Sequence, residues 1–477
     1  MKFTDLELSP QTLSSIQELG FIYPTPIQQK SIPILLKEKK DFIGLASTGT
    51  GKTAAFGLPL IEKINIDKKY PQGLIISPTR ELCLQIKDDL LKFSKYHPTL
   101  NIVPIYGGSS ISQQIKSLKR PTSIIVATPG RLVDLINQKE VNLNQISTVV
   151  IDEADEILNM GFKDELDKIL SCTPDYRITW LFSATMAKGV KRITNNYLNK
   201  PNEVSINEKN KSAENIKHYG FIINEKERFE ALKRILDYLP EIYGLVFCRT
   251  RIETQKVADK LIANNYTAEA IHGDLSQKQR DAVMSKFRQK HIKILVATDV
   301  AARGIDVDDI SHVIQYKLSD EAEAYTHRSG RTARAGKSGI SITLLNTREK
   351  SKVRELERRN GISIEIEKLP GVDIICENQL LSLIDRVINT PINEEEISRY
   401  LPPIYESLCH LDKKEIIKRF ISTEFNHLLD YYRNAKDLNN IQNEKNNYSE
   451  KKPYRKRKRS RRSRNPKNIK SRRDNIK

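Results

Sequence analysis

The chain has 477 residues, 38% of them hydrophobic and 29% charged, with a formal net charge of +19. That length exceeds what one core usually supports, so two or more domains are expected. No apolar run approaches the roughly 20 residues of a membrane-spanning helix, and the start, MKFTDLELSP, lacks a basic region followed by an apolar stretch; neither a membrane partner nor a secretory address is expected.

Five scattered cysteines (Cys83, Cys172, Cys248, Cys376, Cys409) form no C-x-x-C pair. They argue against a disulfide framework and a zinc site, and for reduced thiols in a cytoplasmic compartment. The charge is unevenly placed: residues 451–477 hold 15 Lys/Arg and one acidic residue, so +14 of the +19 lies there. An anionic polymer is the natural partner of such a tail.

Between Asp41 and about Val204, short β-branched runs close on Gly, Pro, Ser, Thr or Asp: DFIGLAS, GLIISPT, IVPIYGG, SIIVATP, TVVIDEAD and ITWLFSAT. Amphipathic stretches such as RELCLQIKDDLLKFSKY lie between them. Strand and helix in repetition predict a mostly parallel sheet wrapped by helices, an α/β domain over 1–206. The polar stretch NEKNKSAEN reads as a linker, 207–216. The rhythm resumes with GLVFCRT, TAEAIHGD, IKILVATDV, ISHVIQYKL and GISITLLN, predicting a second α/β domain over 217–369. Ligands of open parallel sheets sit at the carboxyl ends of the strands, so the chemistry should face that edge. After Pro370 the strands stop. CENQLLSLIDRVIN places Leu380, Leu383, Ile384, Val387 and Ile388 on one helical face, and KKEIIKRFISTEFNHLLDYY does the same with Ile417, Phe420, Ile421 and Leu428. A small all-α module over 370–438 is expected. Residues 439–477 have almost nothing to bury and should be a disordered basic tail when free.

The stretch ASTGTGKT, 46–53, follows a strand and precedes a helical pattern. Its glycines let backbone N–H groups converge on phosphate oxygens at a helix N-terminus, where the dipole favours anions. Lys52 would neutralise β/γ-phosphate charge, and Thr53 would offer its hydroxyl to Mg²⁺. Such a metal needs a carboxylate from a neighbouring strand end, and Asp152 is that candidate; Glu153 beside it would orient and deprotonate the attacking water. Taken alone, DEAD at 152–155 would pass as a solvated helix start. Beside Lys52 and Thr53 the metal reading wins.

The phosphate loop, DEAD at 152–155, SAT at 183–185 and HRSGRTARAG at 327–336 together resemble the DEAD-box RNA helicases of superfamily 2, over roughly residues 1–365. The resemblance implies two tandem RecA-like domains that close around ATP and Mg²⁺ on one side and a bent RNA strand on the other. It implies ATP contacts from Ala46, Ser47, Thr48, Gly49, Thr50, Gly51, Lys52 and Thr53. GFIYPTPIQ, 20–28, resembles the family's adenine-reading element, with Phe3 as its upstream aromatic. There Gln28 offers the donor and acceptor that an adenine edge requires, and Phe21 would stack on the ring. Arg331 and Arg334 resemble the family's arginine fingers, and Gly304 and Asp306 its ribose contacts. Ser183, Thr185, His327 and Arg328 resemble its link between the γ-phosphate and the RNA side.

RNA contacts carried over by motif are Pro78, Thr79 and Arg80, Gly107 and Gly108, and Thr128, Pro129, Gly130 and Arg131 in the first domain. In the second they are Arg249, Gly273, Gln277, Arg280, Thr298 and Asp299. Hydroxyls, glycines and arginines suit phosphate and 2′-OH contact, so sequence-independent binding is expected. Ser47 and Ala333 depart from the commoner Gln and Gly of the family, at positions that supply no essential chemistry.

The activity implied is RNA-stimulated ATP hydrolysis coupled to local unwinding of short duplexes or to remodelling of RNA–protein complexes. An ATP-gated RNA clamp or assembly scaffold with little unwinding is the alternative these residues leave open; a DNA helicase is disfavoured because the match is to RNA-acting members. The helical module resembles, more loosely, the dimerisation segment of some bacterial members, so a homodimer through 370–438 and a cap packed on the second domain both stand. The tail would add non-specific RNA affinity through counterion release, with Tyr454 stacking on a base. Ribosome-assembly and RNA-decay complexes are both compatible settings.

Overall fold

The computed structural model describes residues 1–439 except 48, 207–214, 303, 304, 306, 308, 320, 334–336 and 434. The basic tail and most of the expected linker lie outside the described residues. The first sheet comprises β1 (Phe42–Leu45), β2 (Gly73–Ile76), β3 (Ile102–Ile105), β4 (Ile124–Ala127), β5 (Thr148–Ile151), β6 (Ile178–Ser183) and β7 (Asn202–Ser205). Its order is β3-β4-β2-β5-β6-β1-β7, with every pair parallel. Central strands such as IIVA and TVVI are buried along their whole length. Helices cover both faces, which is why these strands read as continuous apolar runs and not as alternating ones.

The second sheet comprises β8 (Ile216–Ile222), β9 (Gly244–Cys248), β10 (Ala268–Ile271), β11 (Ile294–Thr298), β12 (His312–Gln315), β13 (Gly339–Leu345) and β14 (Glu365–Glu367). Its order is β10-β11-β9-β12-β13-β8-β14, again all parallel. Three strands, β7, β8 and β14, have no counterpart in the sequence expectation. Of these, the edge strands β7 and β14 read NEVS and EIE, with polar and charged residues in place of an apolar run. In β8, IKHYGFI, polar residues interrupt the apolar run, and its first residue is the last of the expected linker.

Strand order sorts the motifs. On the first sheet the carboxyl ends of β1, β5 and β6 run into ASTGTGKT, DEAD and SAT, whereas β3, β4 and β2 run into GG, TPGR and PTREL. Half of one sheet edge therefore carries the nucleotide motifs and the adjoining half the RNA motifs.

Beyond the second sheet, helices Val372–Asn389, Leu401–Leu408 and Lys413–Arg433 form the α module. Ile375, Phe425, Leu428 and Tyr432 are its buried centre, with Tyr238 of the helix Arg228–Tyr238 packed against them. The apolar stripe read from the sequence is buried only in part: Leu428 lies inside, while Val387 and Ile388 are 54% and 72% exposed. Among the described residues no helix is long and apolar enough to cross a membrane.

Candidate ATP site and RNA track

The phosphate loop leaves β1 and ends at Gly51, the N-cap of the helix Lys52–Lys63, with φ 87°. A Cβ there would come within 2.4 Å of Gln28 Nε2, so glycine is required for both conformation and space. Gln28 is buried; its Nε2 donates to Gly51 O at 3.0 Å and its Oε1 accepts from Thr25 N at 2.9 Å. The residue expected to read adenine is thus also bonded to the phosphate loop. No local pattern signals that bond, since the partners are 23 residues apart. Phe21 presents a partly exposed ring, stacked on Phe3 with centroids 6.0 Å apart and tilted against Phe93 at 6.2 Å.

Lys52 is buried, and its Nζ has no hydrogen-bond partner among the described residues. An unpaired buried ammonium is costly, and at a helix N-terminus it matches phosphate oxygens. Asp152, also buried, takes its place because its N–H donates to Ile76 O at 2.9 Å as β5 ends beside β2. Burial pushes its carboxyl up to about 7, against the opposing charge of Lys52 and with the help of Glu153. A divalent cation nearby would hold such a group ionised. Among the described residues no three His, Cys, Asp or Glu side chains converge on one point. A hydroxyl and one carboxylate beside phosphates fit Mg²⁺, which keeps few protein ligands.

Glu153 follows in the left-handed region, φ 49° and ψ 52°, an uncommon conformation for a side chain of this kind, and its N–H donates to Asp152 Oδ1 at 2.9 Å. Asp155 Oδ2 accepts from Thr185 N at 3.0 Å and Thr185 Oγ1 at 3.1 Å, tying DEAD to SAT. Ser183 closes the set: its hydroxyl donates to Thr185 O at 2.8 Å, and its carbonyl accepts from Ala46 N at 3.0 Å. Asp155 has no place in the expected site; its only sequence signal is its position as the last letter of DEAD. Thr53 starts the helix beside Lys52, and Ser47, Gly49 and Thr50 lie in the loop, where Thr50 Oγ1 donates to Ser47 O at 2.7 Å. Thr48, Gly304, Asp306 and Arg334 lie outside the described residues.

From the second lobe, helix Ala322–Ser329 brings His327 Nδ1 to 2.6 Å from Glu156 Oε1. Burial disfavours the charged ring, but Glu156 and Asp155 outweigh it and hold the His327 pKa above its ordinary value. Arg328 is bidentate to Asp299, at 2.5 and 2.8 Å, and its Nη1 donates to Lys317 O at 2.9 Å. Arg331 Nε donates to His327 O at 3.3 Å.

The RNA-motif residues face each other across the cleft. Arg80 stacks over Tyr106 at 4.8 Å and bridges to Asp281 at 3.1 Å, while Arg280 bridges back to Glu81 at 3.0 Å. Two consecutive Arg–acid pairs, one per lobe, thus exchange partners. Gln277 Nε2 donates to Asp281 Oδ1 at 2.9 Å, and a Cβ on Gly108, at φ 78°, would sit 3.4 Å from Gln277 Oε1. Thr79 caps the helix Arg80–Phe93 through its side chain, with Pro78 just before it. Thr128 and Pro129 start the helix Pro129–Asn137, followed by Gly130 and Arg131, whose Nη1 donates to Ser109 O at 3.2 Å near Gly107. Opposite, Arg249 Nη2 donates to Leu318 O at 2.9 Å, Gly273 lies beside Arg251, and Thr298 Oγ1 accepts from Ala301 N at 3.3 Å. Asp299 is engaged by Arg328. Glu81, Asp281 and Tyr106 escaped sequence reading because their partners lie in distant parts of the chain.

Comparison with known proteins agrees with this geometry. A family model described as DEAD/DEAH box helicase matches residues 25–193, one described as helicase conserved C-terminal domain matches 227–336, and one described as "Probable ATP-dependent RNA helicase, helical domain" matches 375–433. The DEAD-box ATP-dependent RNA helicase CshA of Geobacillus kaustophilus is 41% identical over 415 residues, spanning 87% of this chain and 88% of that protein. CshA of Bacillus subtilis is 42% identical over 415 residues, 87% and 83% of the two chains. Among solved structures, S. cerevisiae Dbp5 bound to RNA and ADP BeF3 aligns with a TM-score of 0.72 at 28% identity, covering 79% of this chain and 99% of that one. Mss116p bound to ssRNA and AMP-PNP aligns at 0.71 and 29% identity, covering 90% and 91%. Two tandem RecA-like lobes with a nucleotide loop on one and arginine-bearing helices on the other define an ATP-driven helicase. The chain belongs to the DEAD-box ATP-dependent RNA helicases.

Proposed function

We propose that ATP seats between the two lobes, with its phosphates on the loop 46–53 and its adenine between Phe21 and Gln28, and that its hydrolysis is timed by lobe closure on RNA. The observation that carries this is the buried Lys52 ammonium, unpartnered among the described residues, at a helix N-terminus beside the buried Asp152. Thr53 and Asp152 would hold Mg²⁺, which supplies charge neutralisation at the phosphates. Glu153 orients the attacking water and takes its proton. Arg331 and Arg334 deliver positive charge from the second lobe, and Gly304 and Asp306 hold the ribose.

The RNA backbone lies along Pro78, Thr79, Arg80, Gly107, Gly108 and 128–131 on one lobe and Arg249, Gly273, Gln277, Arg280, Thr298 and Asp299 on the other. Arg80 and Arg280 exchange their carboxylate partners for phosphates as RNA enters. Closure bends one strand so that its partner cannot stay paired, and hydrolysis reopens the cleft, which unwinds short duplexes or remodels RNA–protein complexes. We assign 1–206 and 216–369 as the lobes, 207–215 as their linker, 370–438 as a module joining two copies of the chain, and 439–477 as an RNA tether. The reduced cysteines fit a cytoplasmic setting.

Strand displacement and ATP turnover with and without RNA test the reading. Turnover that depends on RNA and vanishes in Lys52→Ala and Glu153→Gln is expected; turnover indifferent to RNA or to either substitution overturns it.

A further inference from the structure

Glu156 belongs to none of the ATP or RNA assignments above, yet it makes a direct polar bond across the cleft next to the DEAD carboxylates. It lies on the short helix Ala154–Asn159, one turn beyond Asp152 and Glu153. Its Oε1 is 2.6 Å from His327 Nδ1, and the two side chains are only 8% and 17% exposed. Charged side chains among the described residues surround the pair. On the helix of Glu156, Asp155 is committed to Thr185. On the His327 side, Arg328 is committed to Asp299, and Arg331 donates to the His327 carbonyl. Between Glu156, Asp299, His327, Arg328 and Arg331 remains a void of about 30 Å³, room for about one water.

We propose that Glu156 is a positioning residue for ATP hydrolysis: on lobe closure its carboxylate takes the Nδ1–H of His327 and fixes that ring against the helix carrying the reacting carboxylates. The inference rests on the closure reading given above. With Nδ1–H engaged, the charged ring keeps Nε2–H as a second donor in one fixed direction. Closing the cleft takes both groups out of water, and a buried charge without a partner is costly, so closure favours their pairing. The bond therefore forms when the lobes meet and reports their alignment at the place where alignment matters for hydrolysis. Burial and Arg331 oppose the charged ring, and Glu156 with Asp155 outweighs them. The alkaline limb of turnover should accordingly lie higher in pH with Glu156 present than without it.

The test uses the full chain and measures RNA-stimulated kcat and the KM for ATP across pH for Glu156→Ala, Glu156→Gln, His327→Ala and the double alanine variant. Glu156→Ala is expected to lower kcat on the order of tenfold while moving the KM for ATP less than about threefold. Glu156→Gln keeps the shape and an acceptor oxygen, guards against misfolding, and is expected to shift the alkaline limb of kcat to lower pH. Adding Glu156→Ala to His327→Ala should cost no more than about twofold further, because Glu156 acts through that ring. Wild-type kcat in Glu156→Ala, an unmoved limb in Glu156→Gln, or losses that multiply in the double variant would each overturn the inference. Lys52→Ala run alongside separates the two levels. If it retains turnover, the closure reading falls as well; if it is inactive while Glu156→Ala matches the wild type, only the role of Glu156 falls.

Discussion

At the residue scale, chemistry concentrates in side chains whose burial would be unfavourable without a ligand. Lys52→Ala removes the buried ammonium proposed to meet the phosphates, and a loss of RNA-stimulated kcat on the order of 10²–10³ is expected by analogy with deleting one preorganised electrostatic donor. Lys52, Thr53 and Asp152 were legible in the sequence because glycine spacing, strand end and carboxylate cluster each have a local signature. The second role of Gln28, the bond from Asp155 to Thr185 and the contact of Glu156 were not, because each depends on elements 23 to 171 residues apart meeting in space. Two histidines make a prediction of another kind. His218 and His312, both in the second lobe, are pushed by burial from 6.5 to about 4. A folded pKa below the unfolded one favours the neutral ring, so their stabilisation is complete above about 6.5 and is lost as pH falls toward 4. The single tryptophan, Trp180, is buried in the first lobe. Acidification through this window should therefore lower the urea midpoint seen by circular dichroism before that seen by tryptophan fluorescence; coincident shifts would contradict it.

At the element scale, the alternation of β-branched runs with amphipathic stretches was enough to read two parallel sheets, since buried parallel strands are apolar throughout. What it could not supply was neighbour order, and order is what sets the nucleotide ends of β1, β5 and β6 beside the RNA ends of β2, β4 and β3. Edge strands β7 and β14 escaped because an edge favours short, charged sequences. The α module shows a similar limit: period 3.6 marks an apolar face without saying what covers it. Its last helix is pinned to the second lobe by Asp237, which accepts from Lys233 and Tyr432 OH, both at 2.6 Å, and from Tyr266 OH. Lys233 also sits over the Tyr431 ring at 3.9 Å. Asp237→Ala strands the buried lysine, a change typically worth about 3–5 kcal/mol, and should release the helix Lys413–Arg433 to hydrogen exchange. Unchanged protection of that helix would show that apolar packing alone holds it. The exposed face bearing Val387 and Ile388 should join two copies: Val387→Lys with Ile388→Lys should convert a dimer at micromolar concentration into a monomer in light scattering, and a wild-type monomer would remove the dimer.

At the scale of the whole molecule, the lobes touch through the buried Glu156–His327 bond and through the partly exposed Arg80–Asp281 and Arg280–Glu81 pairs, each of the latter worth no more than ~1 kcal/mol at the surface. The two outer pairs contribute little to closure, so ligands that bind the closed form better should shift the balance. Deleting 451–477 should weaken RNA binding and flatten its salt dependence without changing basal ATP turnover; an unchanged slope of log affinity against log salt would remove the tail from RNA binding. The bond from Gln28 to the Gly51 carbonyl carries a last consequence. In the proposed seat the amide that would test the nucleobase is also a strut beneath the bend that would grip the triphosphate, so the wrong purine would be penalised twice. A guanosine substrate should bind poorly and, even at saturation, turn over slowly, because the cradle beneath its phosphates has lost a brace.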